Sequence, residues 1–273
     1  MCRVFSVSRS GYYRWRGRPE SRRAIENRRL DARIKTIYEK SKRRYGSPKI
    51  AEELNDTGVA VSKNRVARRM KAAGLRSVIR RKYRATTDSK HSHPVADNLL
   101  QRDFTASSPD KVWVSDITYI ATTGGWLYLT VFIDLFSRMV VGWALSSSLS
   151  TEMVLTALQR AIRDRRPGAG LIIHSDRGVQ YACKDFRKVL GKHGFVQSMS
   201  RKGDCWDNAV AESLFGIIKS EFIHREHFKG PQDTLKAIFE YIEIFYNRKR
   251  KHSTLGYKTP EQFERTMKSA VCF

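Results

Sequence analysis

The chain predicts a basic all-α unit followed by an α/β unit, a mixed sheet flanked by helices, and three observations lead there. The first third of the 273 residues shows helical periodicity alone. From about residue 109 the pattern turns to the two-residue alternation of strands and then switches between helix and strand. Charge changes with texture: residues 1–105 carry +18 of the formal net charge of +25. With 41% hydrophobic residues the chain can bury a sizeable core, so it is not a disordered polycation. A field of 52 Lys and Arg against 27 Asp and Glu attracts polyanions, and nucleic acid leads because no amphipathic or lipidation signal points to a membrane.

The basic unit is expected over residues 1–75. Leu30, Ile34, Ile37 and Tyr38 recur at helical spacing. "SPKIAEEL" offers Ser47 as N-cap with Pro48 after it, and "SKNRVARRMKAAG" runs from a Ser62 N-cap to a Gly74 stop. Three short helices follow. The last turns Val66, Met70 and Ala73 inward and crowds Lys63, Asn64, Arg65, Arg68, Arg69 and Lys71 on its polar side, the pattern of a helix-turn-helix recognition helix. Lys63, Arg65, Arg68 and Arg69 are the DNA-contact candidates; a solvated basic face on an ordinary bundle is the plainer reading of the same pattern.

Residues 76–105 lose periodicity and read as a basic linker. His91 and His93 in "KHSHP" have no Cys or carboxylate at ligand spacing, so no metal is assigned to them. Cys2, Cys183, Cys205 and Cys272 form no CxxC pair, which argues against a zinc knuckle or disulfide framework and suits a reducing compartment. The N-terminus lacks an apolar signal region and no run approaches the roughly 18 apolar residues of a membrane span. A cytoplasmic protein working on nucleic acid is the expectation.

The α/β core is expected over residues 106–225, with a helical extension over 226–273. "KVWVSDITYIA" alternates, "GGW" turns, and "LYLTVFIDLFSRMVVGWAL" supplies two further strands. Thr151–Arg165 reads as a helix, Leu171–His174 as a short buried strand, Asp185–Lys192 as a helix, Phe195–Met199 as a strand and "DNAVAESLFGIIKSEF" as a long helix.

Three acids stand out in this basic chain. Asp116 lies mid-strand, where Asp is disfavoured and needs a partner or a cation. Asp176 closes a buried strand and Glu212 lies on the last helix. Taken singly, each has an ordinary explanation: a partnered core acid, a turn cap and a solvated helix residue. Adjacent strands could set Asp116 beside Asp176, with a helix across the strand ends adding Glu212, and such a cluster needs protons or divalent cations. On the helix, Asn208, Glu212 and Lys219 share a face, with Gly216 leaving room for close approach. Asp134 in "VFIDLFSR" is given a structural role at the hairpin end.

The motifs "WVSDITYI", "FIDLFSR", "HSDRGVQY" and "DNAVAESLFGIIKSE" closely resemble those of the insertion-sequence-three family of transposases, in their catalytic part, and more broadly the retroviral-integrase-like DDE recombinases. The 35 residues between Asp176 and Glu212 match the family's gap, and Lys219, seven after the Glu, stands where the family carries Lys or Arg. "YGSPKIAEEL" resembles the family's basic helix-turn-helix segment and "NRKRKHSTLGYKTPEQF" its closing motif, so the resemblance covers nearly the whole chain.

The resemblance implies a ribonuclease-H-like fold, with Asp116, Asp176 and Glu212 as catalytic residues and ligands of two Mg²⁺ ions, Mn²⁺ being able to substitute. It implies cutting and joining of DNA strands at the ends of an insertion sequence, by phosphodiester hydrolysis and transesterification. Asn208 and Lys219 are then DNA-contact candidates, with Lys219 a phosphate clamp. The expected partners are element ends and target DNA, a homo-oligomer on DNA, and the product of the upstream reading frame, OrfA. The family's further helix-turn-helix and coiled coil come from that frame, whereas "MCRVFSVSRSGYYRW" reads as an internal start that requires a fusion or a partner. Two other readings keep the fold: a non-catalytic DNA-binding regulator and a structure-specific nuclease.

Overall fold

The computed structural model describes residues 2, 4–77, 94–201 and 205–271. The chain divides into two compact units, Met1–Val78 and Ile79–Phe273.

The first unit holds four helices: α1 (Arg9–Arg16), α2 (Arg22–Lys40), α3 (Ser47–Asp56) and α4 (Lys63–Ala72). Serine hydroxyls start three of them, Ser8 Oγ accepting from Gly11 N at 2.9 Å, Ser21 Oγ from Ala24 N at 3.2 Å and Ser62 Oγ from Arg65 N at 3.3 Å. α1 escapes a reading based on apolar periodicity because none of its residues is buried. α3 begins one residue earlier than its sequence suggests, with Gly46 rather than Ser47 at the N-cap. Leu30, Ile34 and Tyr38 of α2, Ile50, Ala51 and Leu54 of α3 and Val66 and Met70 of α4 are the buried apolar residues of these helices. Ala73, expected inside, is exposed. The helix ends at Ala72 and Gly74 turns the chain with φ +68°, so the inward stripe stops at Met70.

In the second unit, the described part of the expected linker is packed rather than free. Leu100 is buried, Leu99 N donates to Ser198 Oγ at 3.0 Å and Asn98 Nδ2 to Asp207 Oδ2 at 2.8 Å. Its partners lie about a hundred residues away, which is why no local periodicity marks it. His91 and His93 lie outside the described residues.

The sheet is built from β1 (Val112–Thr122), β2 (Gly125–Asp134), β3 (Val140–Ser146), β4 (Ile172–Ser175) and β5 (Val196–Met199), in the order β3-β2-β1-β4-β5. β1, β2 and β3 are antiparallel neighbours, whereas β4 and β5 run parallel to β1. The crossovers carry α5 (Thr151–Arg165), then the short α6 (Val179–Ala182) and α7 (Lys184–His193). A 3₁₀ turn, Cys205–Asn208, leads into α8 (Ala209–Glu221). The chain closes with α9 (Pro231–Phe239), a π-helical stretch Glu240–Tyr246 and α10 (Pro260–Val271).

Alternation along β1 sends Val112, Val114 and Ile120 into one core with Leu214, Phe215 and Ile218 of α8, and Trp113 into another with Val154 and Leu158 of α5 and Phe186 of α7. Both faces are covered, so the strands are rich in Val, Ile and aromatic residues. Gly142 lets α5 lie close on β3: a Cβ there would stand 2.5 Å from Ala157 O and 2.7 Å from Ala161 Cβ. The C-terminal part is stitched to the sheet by Asn247, whose Oδ1 accepts from Val140 N and whose Nδ2 donates to Val140 O, both at 3.0 Å.

Candidate active site

The register of the parallel pair brings two of the acids together. β1 and β4 pair as Val112 with Ile172, Trp113 with Ile173 and Val114 with His174; continued by two residues, that register sets Asp116 opposite Asp176. Asp176 then stands just past the carboxyl end of β4, the usual place for a site in such a sheet, with Asp116 beside it in the middle of the longer β1. Asp116 is buried and accepts from its own neighbour, Ile117 N, at 2.7 Å. Burial, then the charge of Asp176, pushes its pKa well above the ordinary carboxylate range, with Glu212 adding to the rise while Ile117 N and Lys219 oppose it.

Asp176 is shaped by Gly178, whose N donates to Asp176 Oδ1 at 2.9 Å; a Cβ on Gly178 would meet that oxygen at 3.0 Å and Gln180 Oε1 at 3.1 Å. Glu212 is half-buried near the start of α8, and burial raises its pKa. Nearby, Tyr181 is buried and shares a 2.9 Å hydrogen bond with Ser115. Its hydroxyl pKa is raised well above normal by burial and then by Asp116 and Asp176.

Lys219 is 8% exposed, too buried for a solvated helix lysine. Its Nζ lies 4.8 Å from the centroid of the Tyr119 ring, a cation–π contact. Burial lowers its pKa to about 8, against the pull of Asp116. Asn208 belongs to the 3₁₀ turn rather than to α8, so it does not lie one helical turn before Glu212 as expected. Asp207, in the same turn, is fully buried. Asn208 Oδ1 and Thr118 Oγ1 are buried oxygens without a hydrogen-bond partner. Thr118 shares the strand face of Asp116, and Asn208 directly precedes the helix of Glu212. Among the described residues, no three His, Cys, Asp or Glu side chains are gathered as a ready metal-holding group.

Asp207 was not singled out by its sequence, and no spacing signal marks it. Its carboxylate is fully buried and accepts from Arg201 N at 2.8 Å, Arg201 Nε and Nη2 at 3.0 Å, Arg102 Nε at 3.2 Å and Asn98 Nδ2 at 2.8 Å. These donors, those of Arg201 first, hold its pKa far below the usual range. His174 is fixed between Ser198 Oγ at 2.8 Å and Asp207 O at 3.0 Å, and burial lowers its pKa. Asp134 is buried at the hairpin end, accepting from Asp110 N at 2.7 Å and Ser137 N at 2.9 Å, a turn-building role.

In the basic unit the polar side of α4 divides. Lys63, Arg68 and Lys71 are exposed. Arg69 instead forms a two-pronged ion pair with Asp31 of α2, and Arg65 reaches Asn27 Oδ1 at 3.2 Å and Glu26 at 3.7 Å. Two of the four expected DNA contacts on α4 therefore turn toward α2.

Family models for an integrase core domain match residues 106–205 and 212–267, and an HTH-like domain model matches residues 25–83. The chain is 44% identical to the "Insertion element IS600 uncharacterized 31 kDa protein" of Shigella sonnei, over 96% of this chain and 97% of the relative. It is 42% identical to "Transposase InsF for insertion sequence IS3A" of Escherichia coli strain K12, over 97% of this chain and 92% of that one. The chain belongs to the insertion-sequence-three family of transposases.

Membership makes DNA the partner of this transposase and polynucleotidyl transfer its class of reaction. The structure of a simian T-cell lymphotropic virus intasome aligns with TM-score 0.50 at 14% identity, covering 85% of this chain and 74% of that one, a likeness of fold. The mixed sheet with its flanking helices is thus the ribonuclease-H-like fold, preceded by a helix-turn-helix-like unit. No helix among the described residues is long and apolar enough to cross a membrane.

Proposed function

We propose that this transposase cuts and joins DNA strands at the ends of its insertion sequence at a site made of Asp116, Asp176 and Glu212. The observation that carries the reading is the β1–β4 register, which, continued two residues past its last pair, sets Asp116 opposite Asp176 just beyond the end of β4, with Asp176 and Glu212 both near enough to raise the Asp116 pKa. In a chain of net charge +25, carboxylates near enough to raise the pKa of the buried Asp116 suit cations rather than free phosphate.

The donors fit a hard divalent cation. They are carboxylate oxygens with no thiolate among them, and the buried, unpartnered Thr118 Oγ1 and Asn208 Oδ1 add neutral oxygens beside them in the chain. Asp116, Asp176 and Glu212 would hold two Mg²⁺ ions, or Mn²⁺ in their place, and such ions supply charge neutralisation and Lewis acidity at the attacking and leaving oxygens of a phosphodiester.

The remaining groups bind and orient. Lys219 supplies positive charge beside Asp116 to hold a phosphate, and its burial keeps the ammonium from being wasted on water. Lys63 and Arg68 on the exposed side of α4 grip DNA backbone, while Arg65 and Arg69 chiefly hold α4 to α2. The protein acts as an oligomer on DNA, with the upstream-frame product, OrfA, as fusion or partner for recognition of the element ends.

The test uses duplexes carrying the element ends, with Mg²⁺ or with EDTA. Asp116→Asn, Asp176→Asn and Glu212→Gln are each expected to lose nicking and joining while keeping DNA affinity within about threefold, because a ligand is lost and the grip is not. Turnover retained in all three would overturn the reading. Nicking without joining in the wild type would mark a nuclease instead, and binding without either a regulator.

A further inference from the structure

Beyond Val114, no described strand pairs with the β4-side edge of β1; β3 flanks β2 as far as Tyr128, opposite Tyr119, and from there β1 and β2 run on as a two-stranded hairpin to the turn at Thr122–Gly125. The turn is pinned: Thr123 N donates to Phe228 O at 3.0 Å and Thr123 Oγ1 to Lys229 O at 2.9 Å. On this fixed hairpin, Tyr119 and Trp126 meet edge to face with ring centroids 5.3 Å apart. They are 37% and 56% exposed. Two adjoining large rings left open to water on a rigid element form an apolar surface that folding alone does not require.

The pair borders the candidate active site. Lys219 Nζ stands over the Tyr119 ring and also acts on the charge of Asp116, so its side chain joins the two places. Strand alternation turns Tyr119 to the opposite face from Asp116, and the unpaired edge of β1 is where Lys219 spans that step. At about 3.4 Å per residue, Tyr119 is about 10 Å along β1 from Asp116, the length of about three stacked nucleotides.

We propose that Trp126, braced by the perpendicular Tyr119 ring, is a stacking platform for an unpaired base of the DNA strand whose phosphate is handled at Asp116, Asp176 and Glu212. The inference rests on the placement of the reaction at those acids. An unpaired nucleotide suits the surface better than an apolar peptide: the ammonium of Lys219 at the edge of the platform complements a phosphate, and an aromatic face stacks any base whatever the sequence. Cutting creates strand ends beside the reacting phosphate, and a base at such an end parts from its duplex at little cost.

The experiment is binding in EDTA, so that it does not depend on catalysis. The probes are a hairpin duplex with a three-nucleotide 3′ overhang containing 2-aminopurine and the same duplex fully paired. Wild type is expected to bind the overhang about 5- to 100-fold more tightly than the paired probe and to quench the 2-aminopurine. Trp126→Ala is expected to lose the quench and most of the preference while binding the paired probe as wild type does; Trp126→Phe keeps most of both. Equal thermal midpoints confirm that the exposed substitution leaves the fold intact. Absence of the preference in wild type, or its persistence with the quench in Trp126→Ala, overturns the platform. The assay reads binding without turnover, so loss of the preference reports on the platform alone, while loss of strand joining in Asp116→Asn reports on the catalytic reading separately.

Discussion

Replacing Asp207 by Asn tests how the start of α8 is held, and with it the position of Glu212 five residues later. The carboxylate is fully buried and its donors come from Arg201, Arg102 and Asn98. The arginine side chains are 55% and 48% exposed, so solvent screens their ion pairs to about 0.5–1 kcal/mol each. The hydrogen bonds from Arg201 N and Asn98 Nδ2 lose the charge of their acceptor, and the Asn98 amide then faces a second amide, for about 1 kcal/mol more. The expected loss is about 2–3 kcal/mol at pH 7, a fall in thermal midpoint of about 4–12 °C for a unit of this size.

The sign with pH follows from the depressed pKa of Asp207. Its contribution is complete above the unfolded-state value of about 3.9 and is lost as pH falls through the lower folded value. Denaturant midpoints of wild type and Asp207→Asn should therefore differ by a constant amount from pH 8 to about pH 5 and converge below about pH 4. Strand joining should fall with the substitution, because the turn that delivers Glu212 is loosened. Equal midpoints at pH 7, or a gap that does not narrow in acid, would refute the reasoning.

Arg68→Ala should lower the salt slope of DNA binding by about one unit with unchanged stability, whereas Arg69→Ala should lower the denaturation midpoint of the basic unit by breaking its pair with Asp31 and change the slope less; the opposite assignment would place the grip on Arg69. Lys219→Gln should cut end binding and joining together by about tenfold or more, and Lys219→Arg should keep a useful fraction of both; a Gln variant equal to wild type in both assays would remove the clamp. Gly142→Ala should destabilise the α/β unit by about 1–3 kcal/mol, since its Cβ would collide with the α5 backbone at Ala157 O; an unchanged midpoint in urea would show that α5 can move away.

The amino-acid order by itself determined the two-part organisation and most elements, and it singled out the three acids proposed for the site. These depend on local rules: period-two and helical stripes reach the core directly, Ser62 caps its helix through a residue three positions on, and Thr151–Arg165 was legible because its apolar stripe is continuous. The gap between Asp176 and Glu212 was likewise open to counting. Tertiary structure alone decided what distant residues do to one another. The β1–β4 pairing brings Asp176 near enough for its charge to act on Asp116, α2 draws Arg65 and Arg69 away from the exposed side of α4, and burial turns Lys219 from a surface lysine into a charge beside Asp116. Asp207 and the segment around Asn98 carry no periodic signal, because their partners lie 109 positions apart and meet only when the sheet has formed. A stripe records which way a residue faces; the partner it meets there, and so its charge state and role, depends on long-range pairing that local sequence does not encode.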